Sequence, residues 1–169
     1  MSVPVTRRTG EVTLRPWPLD VARALLAGRP LDGAETARWH PGYPMTGTTM
    51  ALAVALGAYE VDGPLTAAPA WWLLQIERDG EVVGDVGFHG PPAGDGPAEV
   101  EIGYGVVPAL RGQGIATRAC ALALELAWRQ GADTVVAGTV PDNLASRTVL
   151  TRCGFSLRLD GDFAIRRPR

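Results

Sequence analysis

The stretch VVPALRGQGIAT, Val106 to Thr117, restricts the fold of this chain more than any other. An apolar run halts at Pro108, and two glycines flank Gln113 ahead of a segment of small residues with helical spacing. Proline removes a ladder donor and ends a strand, while glycine admits backbone conformations and close approaches closed to other residues. The chain must therefore pass from strand to helix through a tight turn with unhindered amides. Such a turn serves as a phosphate cradle at a helix N-terminus, as a dinucleotide fingerprint, or as a plain connection. Against the dinucleotide reading, Gly112-x-Gly114 is only half of G-x-G-x-x-G, and Asp133, about twenty residues on, precedes the next strand instead of ending it. A Walker loop is excluded because no Gly-Lys-Ser/Thr follows. Cradle and plain connection both stay open on these residues alone.

The flanking sequence supplies the fold class. EVTLRPW (Glu11–Trp17) alternates like a short strand and ends in prolines. From Asp20 to Ala58 the chain is helix-prone but broken at Gly28–Pro30, Asp32–Gly33 and His40–Pro44, which predicts two helical pieces joined by irregular backbone. Two apolar runs then flank Asp79–Gly80, a strong hairpin signal, and Trp71 and Trp72 at the start of the first run point to opposite faces. Glu99–Val107 reads as a further strand. Ile115, Ala119, Leu122 and Leu126 recur at helical spacing up to Gly131, and Thr134–Val140 reads as an apolar strand covered on both faces. Asp142 or Asn143 can cap a last helix carrying Ala145, Val149 and Cys153 on one face, and a hairpin around Asp160–Gly161 closes the chain. This order predicts a single α+β (mixed α/β) domain over residues 1–169 with one central sheet.

With 169 residues, 46% hydrophobic and 20% charged, the chain has the make-up of an ordinary globular domain. A net charge of −2 gives no bulk electrostatic case for nucleic acid or for an acidic membrane surface, although every basic residue is arginine. Cys120 and Cys153 lack metal-ligand spacing, so no metal is expected and both thiols are read as reduced, on apolar helix faces. The first residues lack the apolar core of a secretory leader and no run is long enough to span a membrane, so the cytoplasm is the expected location.

Arg111-x-x-Gly114-x-Ala116 resembles the Q/R-x-x-G-x-G/A signature of the GCN5-related N-acetyltransferase (GNAT) superfamily. Downstream, Asn143-Leu-Ala-Ser146-Arg-x-Val149-Leu150-x-x-Cys-Gly154-Phe155 resembles the asparagine-to-Gly-Phe segment of those enzymes. Leu14-Arg15-Pro16-Trp17 and Glu101-Ile102-Gly103-Tyr104 are similar to the branch that acetylates ribosomal-protein N-termini and its small-molecule relatives. The resemblance spans about residues 11 to 167, while residues 18 to 70, which usually shape the acceptor site, carry no matching motif.

The resemblance implies a GNAT fold, with a mostly antiparallel sheet holding one splayed parallel strand pair. It also implies acetyl transfer from acetyl-CoA, as co-substrate, to an amine acceptor by direct attack on the thioester. The pyrophosphate would sit on the amides of Gly112, Gln113, Gly114, Ile115 and Ala116, with Arg111 leading in and Thr117 also in the cofactor site. Val107 would pair with the pantetheine arm, and an amide near Gly105–Val106 would polarise the thioester carbonyl. Asn143 would hold the cofactor arm, besides serving as a helix cap. Glu101 matches the position of the general base in several members. Glu99, two residues away on the same face, is the alternative, and both also read as ordinary solvated carboxylates. The family's thiolate-protonating tyrosine is replaced by Leu150, and Ser146 stands where a serine is given that task in the ribosomal-protein branch. His89 shares a face with Asp85 but belongs to no histidine cluster. Trp39, His40 and Tyr43 read as loop anchors or as part of an acceptor dock, and the short final hairpin as leaving the acceptor side open. The rival reading is a non-catalytic acyl-CoA-binding or regulatory domain. The acceptor, the acyl length and the choice between monomer and homodimer stay open.

Overall fold

The computed structural model of the chain describes residues 10–61, 63–93 and 95–169. Seven strands form one sheet in the order β1-β2-β3-β4-β5-β7-β6. These are β1 (Val12–Pro16), β2 (Leu73–Arg78), β3 (Glu81–Phe88), β4 (Glu99–Val106), β5 (Thr134–Ala137), β6 (Ser156–Leu157) and β7 (Phe163–Arg166). Every neighbouring pair is antiparallel except β4 and β5, which run parallel. The expected hairpin at Asp79–Gly80 forms as read, with φ of 52° and 86° giving the twist that two-residue connections require.

The helical region departs from the two expected pieces. It holds α1 (Leu19–Leu26), a single turn α2 (Gly33–Thr36) and α3 (Thr46–Tyr59). Asp32, read as a break, instead caps α2 by accepting from the Ala34 amide at 3.0 Å. Beyond the sheet's centre lie α4 (Ile115–Arg129) and α5 (Leu144–Arg152). The buried stripe of α4 is Ile115, Ala119, Cys120, Ala123, Leu124 and Ala127; Leu122 and Leu126 flank it. Large leucines at the flank and small residues at the centre let α4 sit close against the strands. β5 is also shorter than the apolar run Thr134–Val140, because only Val135 and Ala137 are buried and Val140 is exposed. Both Trp71 and Trp72 belong to the core.

One buried carboxylate ties three parts of the chain together. Asp85 on β3 accepts from Trp17 Nε1 at 2.8 Å, from the Tyr43 hydroxyl and from the Thr48 hydroxyl of α3. Burial holds its pKa above the ordinary carboxylate value even against these three donors. Trp17, Trp39 and Tyr43 pack edge-on or stacked around it. Those aromatics are therefore core anchors that fasten the irregular segment before α3 to the sheet.

Candidate active site

The site begins where the parallel pair comes apart. β4 and β5 are paired only at Glu99–Glu101 with Thr134–Val136, although β4 continues to Val106. Backbone groups alternate sides along a strand. The Glu101 carbonyl accepts from His89 N and the Val107 amide donates to the Val83 carbonyl at 2.9 Å, so odd-numbered residues bond towards β3. Tyr104 and Val106 consequently turn their amides into the open gap. This corrects the role expected for Val107: its amide belongs to the sheet, its carbonyl accepts from Leu110, and its side chain is fully buried. Of Val106 and Val107, it is Val106 whose amide is free to meet a ligand in the gap.

Gly112 and Gly114 both take left-handed backbone, φ 73° and 79°, and a Cβ at either would project into open space. Among the described residues the amides of Gly112 through Thr117 meet no protein acceptor, and the 15-residue helix α4 points its positive end at them. Arg111 folds back so that its Nε donates to the Val106 carbonyl at 3.0 Å, strapping the turn to the end of β4. A cleft of about 430 Å³ runs from this turn into the gap. Of the expected residues, Val106, Arg111, Gly112, Gly114, Ile115, Ala116, Thr117, Asn143 and Ser146 line it. Gln113 does not, because its side chain turns outward and accepts from Arg78 Nη1 at 2.5 Å.

Across the cleft, the Asn143 side chain caps α5 by accepting from the Ser146 amide at 3.1 Å. Leu150, at the position of the missing tyrosine, is fully buried. A different tyrosine reaches the same helix. Tyr104 donates to the Ser146 carbonyl at 3.1 Å and lies 3.0 Å from Ser146 Oγ, with both residues on the cleft wall. Burial pushes its pKa up to about 12, so the phenol keeps its proton as a donor. Strand alternation in the Glu101–Tyr104 motif already put Tyr104 on the face opposite Glu101, which was the available signal. What it touches depended on where α5 docks.

On the other face, Glu101 and Glu99 part company. Glu99 pairs with Arg158 at 2.7 Å, leaving Glu101 as the carboxylate beside the gap. His89 Nδ1 stands 3.3 Å from Glu101 Oε2. The final hairpin turns within Arg158–Asp162, and a Cβ on Gly138 would meet both Asp162 Oδ1, at 3.6 Å, and Glu101 Oε1, at 3.7 Å. Sequence reasoning also missed a second cleft, of about 460 Å³, on the outer side of Gly114. Arg78, Arg118 and Arg152 line it, and the last two have no ion-pair partner among the described residues. Only the fold brings these arginines from β2, α4 and α5 together, so no local pattern announced them. Among the described residues no three His, Cys, Asp or Glu side chains gather as a metal would need, and no helix is long and apolar enough to cross a membrane.

Comparison with solved structures gives the same architecture. RimJ from Mycobacterium smegmatis in complex with CoA-disulfide is 27% identical, with a TM-score of 0.61 over 94% of this chain and 83% of that one. An acetyltransferase from Agrobacterium tumefaciens str. C58 is 23% identical, with a TM-score of 0.59 over 100% and 96%. YncA of Salmonella typhimurium, described as a putative acetyltransferase with its cofactor acetyl-CoA, is 18% identical, with a TM-score of 0.57 over 92% and 93%. No curated protein matches the chain significantly. The acetyltransferase (GNAT) domain model matches residues 11–156, covering both the glycine turn and the Asn143 helix. The splayed strands, the open amides and this match agree, and the chain belongs to the GNAT family of N-acetyltransferases.

Proposed function

We propose that this protein transfers the acetyl group of acetyl-CoA to a primary amine of a small molecule or a protein N-terminus, by direct attack of the amine on the thioester. The observation that carries the reading is the continuous cleft joining the free amides of Gly112–Thr117 to the unpaired Val106 amide. A phosphate-bearing thioester needs those two features at opposite ends of one groove. Bound acetyl-CoA supplies an activated acetyl carbon; the residues do the rest. Gly112–Thr117 and Arg111 hold the pyrophosphate, and Arg118 and Arg152 offer charge for a further phosphate. Asn143, which lines the cleft as well as capping α5, steadies the arm. Val106 N–H polarises the carbonyl oxygen where negative charge develops. The proton of the attacking amine leaves on the Glu101 face of β4, and Ser146 faces the departing sulfur from the Tyr104 face. Catalysis without a metal and a cytoplasmic setting complete the proposal.

Calorimetric titration with acetyl-CoA tests it, repeated on Gly114→Glu, whose side chain would enter the cradle and oppose the phosphates. Wild-type binding with at least about a hundredfold loss in the variant is expected, equivalent to roughly 2.7 kcal/mol. Equal binding by the two proteins would remove the phosphates from this turn.

A further inference from the structure

We infer that the amine is deprotonated by His89, with Glu101 acting as the carboxylate that orients its ring. This rests on the acetyl-transfer reading above and assigns its base. The backbone first brings the two residues together: His89 N donates to the Glu101 carbonyl at 3.0 Å, which extends the β3–β4 ladder by one position. The side chains then meet on the same face, with Nδ1 3.3 Å from Glu101 Oε2. A carboxylate on Nδ1 keeps the proton there and leaves the Nε2 lone pair free to accept.

Nε2 lies where a base is wanted. It stands only 2.7 Å from the place a Cβ on residue 103 would occupy, with Cε1 and Cδ2 at 3.5 and 3.8 Å, so the ring points its Nε2 edge at Gly103, and any side chain there would displace it. Gly103 belongs to the stretch of β4 that has left β5, whereas Glu101 is the last paired position. Nε2 thus stands beside a residue two positions further along β4 towards Val106 than Glu101. A Cβ on Gly105, next on this face, would meet only Met45 Cε, at 3.4 Å, so the floor at Gly105 stays open between His89 and Met45. The His89 side chain is 41% exposed, and an entering amine can reach it.

The protons balance as follows. His89 Nε2 takes one proton from the incoming ammonium and passes it to solvent, while Glu101 compensates the transient imidazolium charge. The freed nitrogen lone pair forms the C–N bond and the C–S bond breaks with its electrons on sulfur. The second proton lost by nitrogen neutralises the thiolate, so one proton is released per turnover.

The test compares wild type, His89→Gln, Glu101→Ala and the double variant in acetyl transfer to a panel of amines, with acetyl-CoA affinity measured alongside. His89→Gln is expected to lower kcat by a hundredfold or more, a general base's contribution, with the KM for acetyl-CoA unchanged. Glu101→Ala is expected to cost about tenfold, and the double variant no more than His89→Gln. A larger loss for Glu101→Ala, with His89→Gln near wild type, would make Glu101 the base and overturn the assignment. Nitrogen-15 spectra of the free protein give a second, activity-independent readout, simplified by there being two histidines, His40 and His89. The His89 ring should carry its proton on Nδ1 in wild type and lose that preference in Glu101→Ala; a proton fixed on Nε2 in wild type would refute the pairing. A wild type that acetylates no amine would instead count against the transfer reading, with the tautomer still deciding the pair.

Discussion

Tyr104 and Ser146 show how a phenol can reach a helix from a different element. The helix position of the family's tyrosine holds Leu150, wholly inside the core, yet a phenol arrives at α5 from β4 and contacts Ser146 twice. Because its pKa is pushed up to about 12, the phenol stays a donor throughout the working range. Tyr104→Phe should therefore lower kcat by about fivefold, the worth of one neutral hydrogen bond, and leave the KM for acetyl-CoA alone. Steady-state kinetics should also find Tyr104→Phe/Ser146→Ala no slower than Ser146→Ala; additive losses would mean that the hydroxyls act separately. Asp85 gives a second residue-scale expectation. Its folded pKa is raised, so the folded state holds the proton more tightly than the unfolded chain, and this contribution to stability is present at acid pH and lost as pH rises through the folded pKa. Urea unfolding from pH 4 upward should show that decline in wild type and a flatter curve in Asp85→Asn. Asp85→Ala, which strands three donors, should cost about 3 kcal/mol at neutral pH.

At the scale of elements, what was legible in the sequence was what is local. The Asp79–Gly80 hairpin, the glycine turn before α4 and the cap at Asn143 all follow from residues adjacent in the chain, and each forms as read. What was hidden depends on register or docking. Val107 looks like the end of a strand facing a ligand, and only the β3–β4 register shows its amide bonded to Val83. His89 had no partner in the sequence until that same register set it across from Glu101. The apolar run after Thr134 could not show where pairing with β7 stops, because Val140 is as apolar as Val135 yet exposed. α3 carries no charged residue and still leaves Met50 and Val54 at the surface, so composition alone could not define its buried face.

For the whole molecule, the small net charge of −2 conceals a polarity. Arg78, Arg111, Arg118 and Arg152 surround the glycine turn, while Glu99, Glu101, Asp160 and Asp162 stand around the gap's other mouth and the final hairpin. An anionic donor and a cationic acceptor would thus be drawn to different sides. The KM values for acetyl-CoA and for a cationic amine should both rise between about 0.01 and 0.5 M salt, as screening shortens from tens of ångströms to a few. A salt-independent KM for acetyl-CoA would show that the arginines contribute no steering.

The seam at Glu99–Glu101 has a further consequence. Three residue pairs join a half-sheet of four strands to one of three, and the rest of the boundary is left open. A thioester arm bonded along Tyr104 and Val106 would supply the missing length of ladder, and the substrate would then behave as a temporary piece of the polypeptide. On those terms the lifetime of the protein against proteases, and not only its rate of turnover, would follow how well supplied its surroundings are with the acetyl donor.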